Sequence, residues 1–216
     1  MGVFRFVGVV RLGLRPASGR WTLKGKYLKG KTIEYDGSQL SPLWAYISFD
    51  VQGDSIVSFR GPCNIAEEFM VDIEDKRKNL EISSPDMLHF IVEYFGVDID
   101  RIVLVQRLLI ITAVGLLRAS VYEEAEVVRE FDNIYAFAPE EDARGKLSVS
   151  VATVSPVSGL IHLGLNITGE GTPVKAAGLE EIGVEDIDKF AVELARRFIE
   201  EIKNTKIDAS KVRPVI

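Results

Sequence analysis

The chain is poor in the residue types that most often build disulfides, metal centres and nucleophiles. Its 216 residues include one cysteine, Cys63, so no disulfide can form within it and a reducing compartment, the cytoplasm, is the expected location. Two histidines, His89 and His162, are too few for a zinc finger or an HExxH site, and no metal site is expected. A carboxylate-bound Mg²⁺ is chemically allowed, though no motif demands one. There is no Walker motif, and Gly169-Glu170-Gly171 is too slight for a phosphate loop. No apolar run reaches the roughly 20 residues that span a bilayer. The most apolar segment, Ile102 to Leu117, contains Gln106 and Arg107 and reads as a buried helix flanked by Arg101 and Arg118, so no membrane partner is expected. Acids are missing before Glu34, where eight Lys and Arg stand alone; the remaining 18 face all 32 Asp and Glu. A mild basic arm on an acidic body does not describe a nucleic-acid-binding domain. The arm's apolar run from Phe4 to Val10 is interrupted by Arg5 and too short for a secretory signal.

What is present is ordinary for a soluble globular domain, 47% apolar and 27% charged, so a sizeable core is expected. Residues 1–30 read as a basic extension or a pair of edge strands around Val7 to Leu14 and Trp21 to Leu28; residues 31–216 read as one domain. Thr32 to Gly37 is strand-like, and Ser38 is placed to cap a helix running to about Phe49. A short strand SIVSF ends at Arg60-Gly61-Pro62-Cys63, and the charged stretch Glu67 to Glu81 reads as irregular. Its acids, Glu67, Glu68, Asp72, Glu74 and Asp75, read as a solvated face. Met87 to Phe95 reads as a buried strand, with a helix the alternative for so short an apolar run. Asp98 or Asp100 can cap the long apolar helix, and Val127 to Phe137 supplies a strand or two before a polar loop, Pro139 to Arg144. Ile187, Phe190, Ala191, Leu194, Ala195, Phe198, Ile199 and Ile202 recur at helical spacing, a final amphipathic helix. Adjacent strands mixed with a few long helices imply an α+β domain, or α/β, on a largely antiparallel sheet flanked by helices.

The segment richest in functional signal is GKLSVSVATVSPVSGLIHLGLN, Gly145 to Asn166. Leu147, Val149 and Val151 alternate, then Ile161, Leu163, Leu165 and Ile167, as expected of two half-buried strands around a Ser-Pro-Val-Ser-Gly turn. The same parity puts Lys146, Ser148 and Ser150 on one face of the first strand, and His162, Gly164, Asn166 and Thr168 on one face of the second. Long charged residues usually fill an outer face; these are mostly small and hydrogen-bonding, which leaves room for a ligand against the sheet. The plain alternative is a solvated face.

DGSQL at Asp36 to Leu40, RGPC at Arg60 to Cys63, DMLHFIVE at Asp86 to Glu93, SPVSGLIHLGLNIT and KVRPV resemble an archaeal and bacterial family described only as a domain of unknown function, number 366. A more distant resemblance carries chemistry. Gly145-Lys146-Leu147 on a strand, then Ile161 to Asn166 on its partner, resembles the core of lipoyl/octanoyl transferases and biotin–protein ligases, which share a fold with class II aminoacyl-tRNA synthetases. Those enzymes carry a Gly-x-Lys-Ile strand followed by a His-Gly-x-x-x-Asn or Gly-x-Asn strand. The resemblance implies a lipoate/biotin ligase-like fold in which Lys146 contacts an acyl carbonyl or an adenylate phosphate, and an ammonium suits either as a compact charge. Two departures qualify it. The arginine-glycine-rich loop of those ligases is replaced by the acidic, glycine-free DIEDKRKNLEISSPD, and the cysteine of octanoyltransferases by Ala176-Ala177-Gly178, which excludes thioester exchange at that position.

The expectation is therefore an acyl-activating or acyl-transferring enzyme for a small carboxylate or acyl compound, with ATP and Mg²⁺ compatible. The alternative is a non-catalytic binding or regulatory module on the same fold. A homodimer is allowed, with the polar hairpin face as its interface. Lys146 is the candidate catalyst, Arg60 the candidate anion clamp, since its planar fork grips carboxylates. Asp36, Ser38 and Gln39 at a strand–helix junction, His89, Ser148, Ser150, His162 and Asn166 are the candidate ligand contacts. His89, inside an apolar run, also reads as a buried histidine bonded to backbone. Cys63 reads as a small buried hydrophobe before it reads as a nucleophile.

Overall fold

Two strands covered on both faces, Ser83–Phe95 and Ser158–Asn166, organise the molecule. The computed structural model of the chain describes residues 10–11, 23–137 and 144–215. Strands β1 (Val10–Arg11) and β2 (Lys24–Thr32) are followed by helix α1 (Trp44–Phe49) and strand β3 (Ser55–Asn64). A 3-10 turn at Glu67–Phe69 and the short helix α2 (Ile73–Arg77) lead to β4 (Ser83–Phe95) and the long helix α3 (Ile99–Arg118). Then come β5 (Glu126–Glu130), β6 (Asn133–Phe137), β7 (Gly145–Lys146), β8 (Ser148–Val154), β9 (Ser158–Asn166) and α4 (Ile187–Ser210). A six-stranded sheet runs β1-β2-β3-β4-β9-β8, with β2/β3 parallel and the other pairs antiparallel; β5-β6-β7 form a second sheet. The α+β class with a largely antiparallel sheet holds.

Each face of the large sheet has its own core. Leu88, Phe90, Val92, Leu163 and Leu165 pack against α3 and α4 through Ile102, Leu109, Ile110, Phe190, Leu194 and Phe198. On the opposite face Val57, Phe59, Met87 and Ile91 pack with Leu28, Tyr35, Ala45 and Val51. At roughly 1.5–3 kcal/mol for each fully buried aliphatic or aromatic side chain, both layers contribute heavily to folding. This double covering explains why Met87 to Phe95 reads as a continuous apolar run rather than an alternating one. Asp98 caps α3 by accepting from Arg101 N at 2.8 Å, and the buried stripe of α4 is the one its spacing predicts.

Elsewhere the structure departs from the expectations. The helix expected from Ser38 begins only at Trp44, because Ser38 donates its hydroxyl to the Asp36 carboxylate at 2.6 Å and stays in a turn. Leu43 precedes the helix with φ 65°, and its N–H is taken by the buried Glu93 carboxylate at 2.8 Å. The strand expected over Thr32 to Gly37 is reduced to the end of β2 and a bridge between Tyr35 and Cys63, after the register breaks beyond Tyr27. Gly61 explains the close approach there: a Cβ on it would lie 2.6 Å from Ile33 C and 2.9 Å from Ile33 N. The expected edge pair exists where it is described, Val10–Arg11 against Lys26–Tyr27. The rest of that pair, residues 4–9 of the apolar run and residues 139–143 of the polar loop lie outside the described residues. No helix of the described residues is long and apolar enough to cross a membrane.

Candidate functional site

The hairpin's polar residues do not share a face. In an antiparallel pair, residues directly opposite project to the same side. Ser150 lies opposite Leu163 and Ser148 opposite Leu165, both on the α3/α4 side, whereas His162 lies opposite Val151 and Ile91 on the other side. The Ser150 hydroxyl accepts from Gln106 Nε2 of α3 at 2.8 Å, and Ser148 Oγ accepts from Ile134 N at 2.8 Å. The expected alternation breaks at Leu147, where the chain leaves β7 in the small sheet and enters β8 in the large one; Leu147 packs in the helix-side core and Val149 in the opposite one.

That crossing creates a cleft. Between the hairpin, the segment from the 3-10 turn to β4, and residues 172–176 lies a cavity of about 280 Å³. Lys146, Ser148, Ser150 and Asn166 line it, so four expected site residues come together. Lys146 is fixed by its backbone, which donates to Lys175 O at 3.0 Å and accepts from Ala177 N at 3.2 Å. Asn166 clamps the same strand, its Nδ2 donating to Lys146 O at 3.1 Å and to Ala177 O at 3.4 Å. Its role is to position Lys146. The Lys146 ammonium has no hydrogen bond or ion pair among the described residues and lies half-buried at the cleft wall.

The acids from Glu67 to Asp75 form the expected solvated face, Asp75 alone being partly buried, and two of them also reach the cleft. Asp72 caps α2, accepting from Glu74 N at 2.8 Å and Asp75 N at 3.1 Å, and both Asp72 and Asp75 line the cleft. Burial, with the Asp72 charge beside it, raises the Asp75 pKa, while Lys146 pulls it the other way. A second, smaller chamber of about 40 Å³ adjoins, sharing Asp72, Asp75, Ile82, Val149 and Ser150 with the cleft. Its other walls are apolar or aromatic, Tyr35, Leu40, Ile65, Phe69 and Val71 among them, together with His162. The site is thus a polar mouth at Lys146 backed by an apolar inner end.

The remaining expected residues lie elsewhere or serve the fold. Arg60 makes a bidentate pair with Asp86 outside the cleft, its guanidinium already neutralised. Asp36, Ser38 and Gln39 bond one another and the backbone of the 34–39 turn; Gln39 Nε2 donates to Glu34 O at 3.0 Å. His89 is fully buried and bonded to the Gly61 carbonyl at 3.1 Å, the backbone-bonded reading. Burial pushes the Cys63 thiol up to about 12, which leaves no thiolate for nucleophilic attack at neutral pH.

A family model described as "Domain of unknown function (DUF366)" matches residues 25–213. The chain belongs to that family. An uncharacterized protein of Methanocaldococcus jannaschii is 38% identical over 190 residues, covering 85% of this chain and 82% of that protein. A solved protein of unknown function from Pyrococcus horikoshi superposes with a TM-score of 0.82 at 43% identity, over 90% of this chain and 100% of its own. The biotin protein ligase of Aquifex aeolicus, in complex with biotin and ATP, superposes with a TM-score of 0.53 at 13% identity, over 84% of this chain and 71% of its own. The fold of this DUF366 member is therefore that of the biotin protein ligases.

The acidic residues decide which ligands the cleft can take. Asp72, Asp75 and Glu81 line the cleft with Lys146, and Asp132 beside them is paired with Arg107 at 3.4 Å, so a nucleotide's phosphates would meet more negative than positive charge there. The described residues of the cleft do not fit a bare triphosphate, and none form a cluster of three or more metal-ligating side chains. A monoanionic carboxylate or a neutral acyl group, by contrast, matches one ammonium. The signal that could have found Asp72 and Asp75 is their position, an acidic cap and first turn of a short helix.

Proposed function

We propose that this cleft binds a small carboxylate or acyl compound with its head group at Lys146 and its chain directed toward the inner chamber, and that the protein performs acyl activation or transfer in the cytoplasm. Residues 31–216 are taken as the unit that carries this activity. The supporting observation is a lysine that makes no hydrogen bond or ion pair among the described residues, held by backbone at the mouth of a cavity that adjoins a largely apolar chamber. The cavity, about 280 Å³, lies at the lower end of the range for small-molecule sites, which suits a short acid. In a reaction, Lys146 would stabilise the charge that develops on the acyl oxygen, the task for which a preorganised cation in a partly dry site is most effective. No cysteine lines the cleft, so the acyl group passes to an external acceptor rather than to a thiol of this chain.

A binding module without turnover is the second reading, and the acidic residues across from Lys146 favour it, because they oppose a nucleotide. One experiment addresses both. Purified protein and Lys146→Ala are titrated calorimetrically with octanoate, lipoate and biotin, and AMP release is followed on adding ATP and Mg²⁺. At least one acid is expected to bind, and to lose about tenfold or more in affinity in the variant, the scale of a charge-assisted hydrogen bond. Acid-dependent AMP release would identify a ligase; binding without it would identify a module or ATP-independent chemistry. Failure of every acid to bind folded protein, or equal binding by the variant, refutes the acyl-site reading.

A further inference from the structure

At the inner end of the site the protonation pattern is dictated by the fold. His89 and His162 sit on the same face of neighbouring strands, both fully buried, with His89 Nδ1 and His162 Nε2 3.1 Å apart. His89 Nε2 lies 3.1 Å from the Gly61 carbonyl, which can only accept. The proton of His89 is therefore on Nε2, and its Nδ1 offers a lone pair. His162 must then carry its proton on Nε2 to donate to that lone pair. This leaves His162 Nδ1 as a bare acceptor, and it is a buried polar atom with no partner among the described residues. Tyr35 stacks on the ring at 3.7 Å between centroids and so locks it in place, while the ring forms part of the chamber wall.

An unmet buried acceptor on a residue that lines a largely apolar chamber calls for a donor. We infer that the inner chamber is a specificity subsite for the remote end of the acyl ligand, selecting a group with an O–H or N–H that donates to His162 Nδ1. The inference rests on the reading of the cleft as an acyl site. The walls Leu40, Ile65, Phe69 and Val71 suit the apolar chain that leads to such a donor, while Asp72 and Asp75, which also line the chamber, add negative charge where it joins the cleft. A plain alkyl end fills the space and leaves the acceptor unmet. The chamber, about 40 Å³, has room for one small polar group and no more.

Octanoate and 8-hydroxyoctanoate, with their shorter and longer homologues, test this by calorimetry. At the length that reaches the chamber, the hydroxy acid is expected to bind about tenfold more tightly than its unsubstituted partner, the change that separates a met buried acceptor from an unmet one. His162→Gln keeps an N–H near the Nε2 position and removes the acceptor, and is expected to abolish the preference. His162→Asn, whose oxygen falls near Nδ1, is expected to retain it. Unsubstituted acids that bind as well as hydroxy acids at every length would overturn this inference alone and leave the acyl site standing, with water as the donor in the chamber. Acids of neither kind binding would overturn both. The ¹⁵N spectrum of the ligand-free protein gives an independent reading: a protonated Nδ1 on His162 would refute the tautomer and the inference with it.

Discussion

Gly145→Ala tests how Lys146 is held. The glycine immediately precedes the lysine, and a Cβ there would stand 2.5 Å from both Ala176 O and Ala177 N. These are backbone atoms of the segment that pairs with Lys146, so nothing flexible can yield. To admit the methyl group, residues 175–177 must retreat, which strains the bonds Lys146 N to Lys175 O and Ala177 N to Lys146 O and the two contacts of the Asn166 amide. With these bonds strained rather than lost, together costing about 1 kcal/mol, and overpacking adding about 1–3 kcal/mol, the expected loss is about 2–4 kcal/mol. In a chain of this size that lowers the melting temperature by roughly 4–16 °C. Gly115→Ala is the matched comparison. It lies inside α3, nothing stands within 4 Å of the added Cβ, and helix propensity predicts stabilisation by up to about 1 kcal/mol. Thermal unfolding by circular dichroism, with octanoate titration of both proteins, reads the result. Gly145→Ala is expected to melt early and bind acid weakly, Gly115→Ala to do neither. A Gly145→Ala protein that melts within a degree or so of wild type would show that residues 175–177 do not fix the lysine.

Two further outcomes follow from the same geometry. Burial holds the His89 pKa at about 4 and drives that of His162 well below its ordinary value, so both rings are neutral in the folded protein at pH 5 to 7. As pH falls below about 6.5 only the unfolded chain takes up these protons, and stability falls with a slope approaching 1.4 kcal/mol per pH unit for each histidine, down to about pH 4 for His89. Urea denaturation across that window should show a shallower slope for His162→Gln than for wild type; parallel slopes would contradict a neutral buried ring. Arg60→Gln removes one partner of a half-exposed ion pair outside the cleft, so it should cost less than about 1 kcal/mol and leave acid binding unchanged. A large loss of affinity in that variant would restore Arg60 as an anion clamp.

The strands and helices that bury a face were legible because burial imposes a period on the sequence. The stripe of α4 from Ile187 to Ile202 and the Asp98 cap of α3 were readable from the chain alone, as was the apolar run that became β4. Ser38 misled because its hydroxyl has two local uses, capping a helix or closing a turn on Asp36, and only the pull of Glu93 on Leu43 N, fifty positions away, decides where α1 begins. Lys146 and Asn166 were recognisable as a pair from their motifs, and the acidic run as a solvated face, but a charge run carries no sign of which of its carboxylates border a cleft.

Local chemistry therefore determined the element types, the α+β class and the Gly-Lys strand, because dihedral preference and apolar period act over a few residues. Register, by contrast, is a property of two strands at once. Pairing Val151 with His162 and Ser150 with Leu163 put the serines and the histidine on opposite faces, and the change of sheet at Leu147 opened the cleft beside Lys146. Tertiary structure alone brought His89, His162, Tyr35 and the Gly61 carbonyl together, since these contacts join residues that no short window of sequence contains.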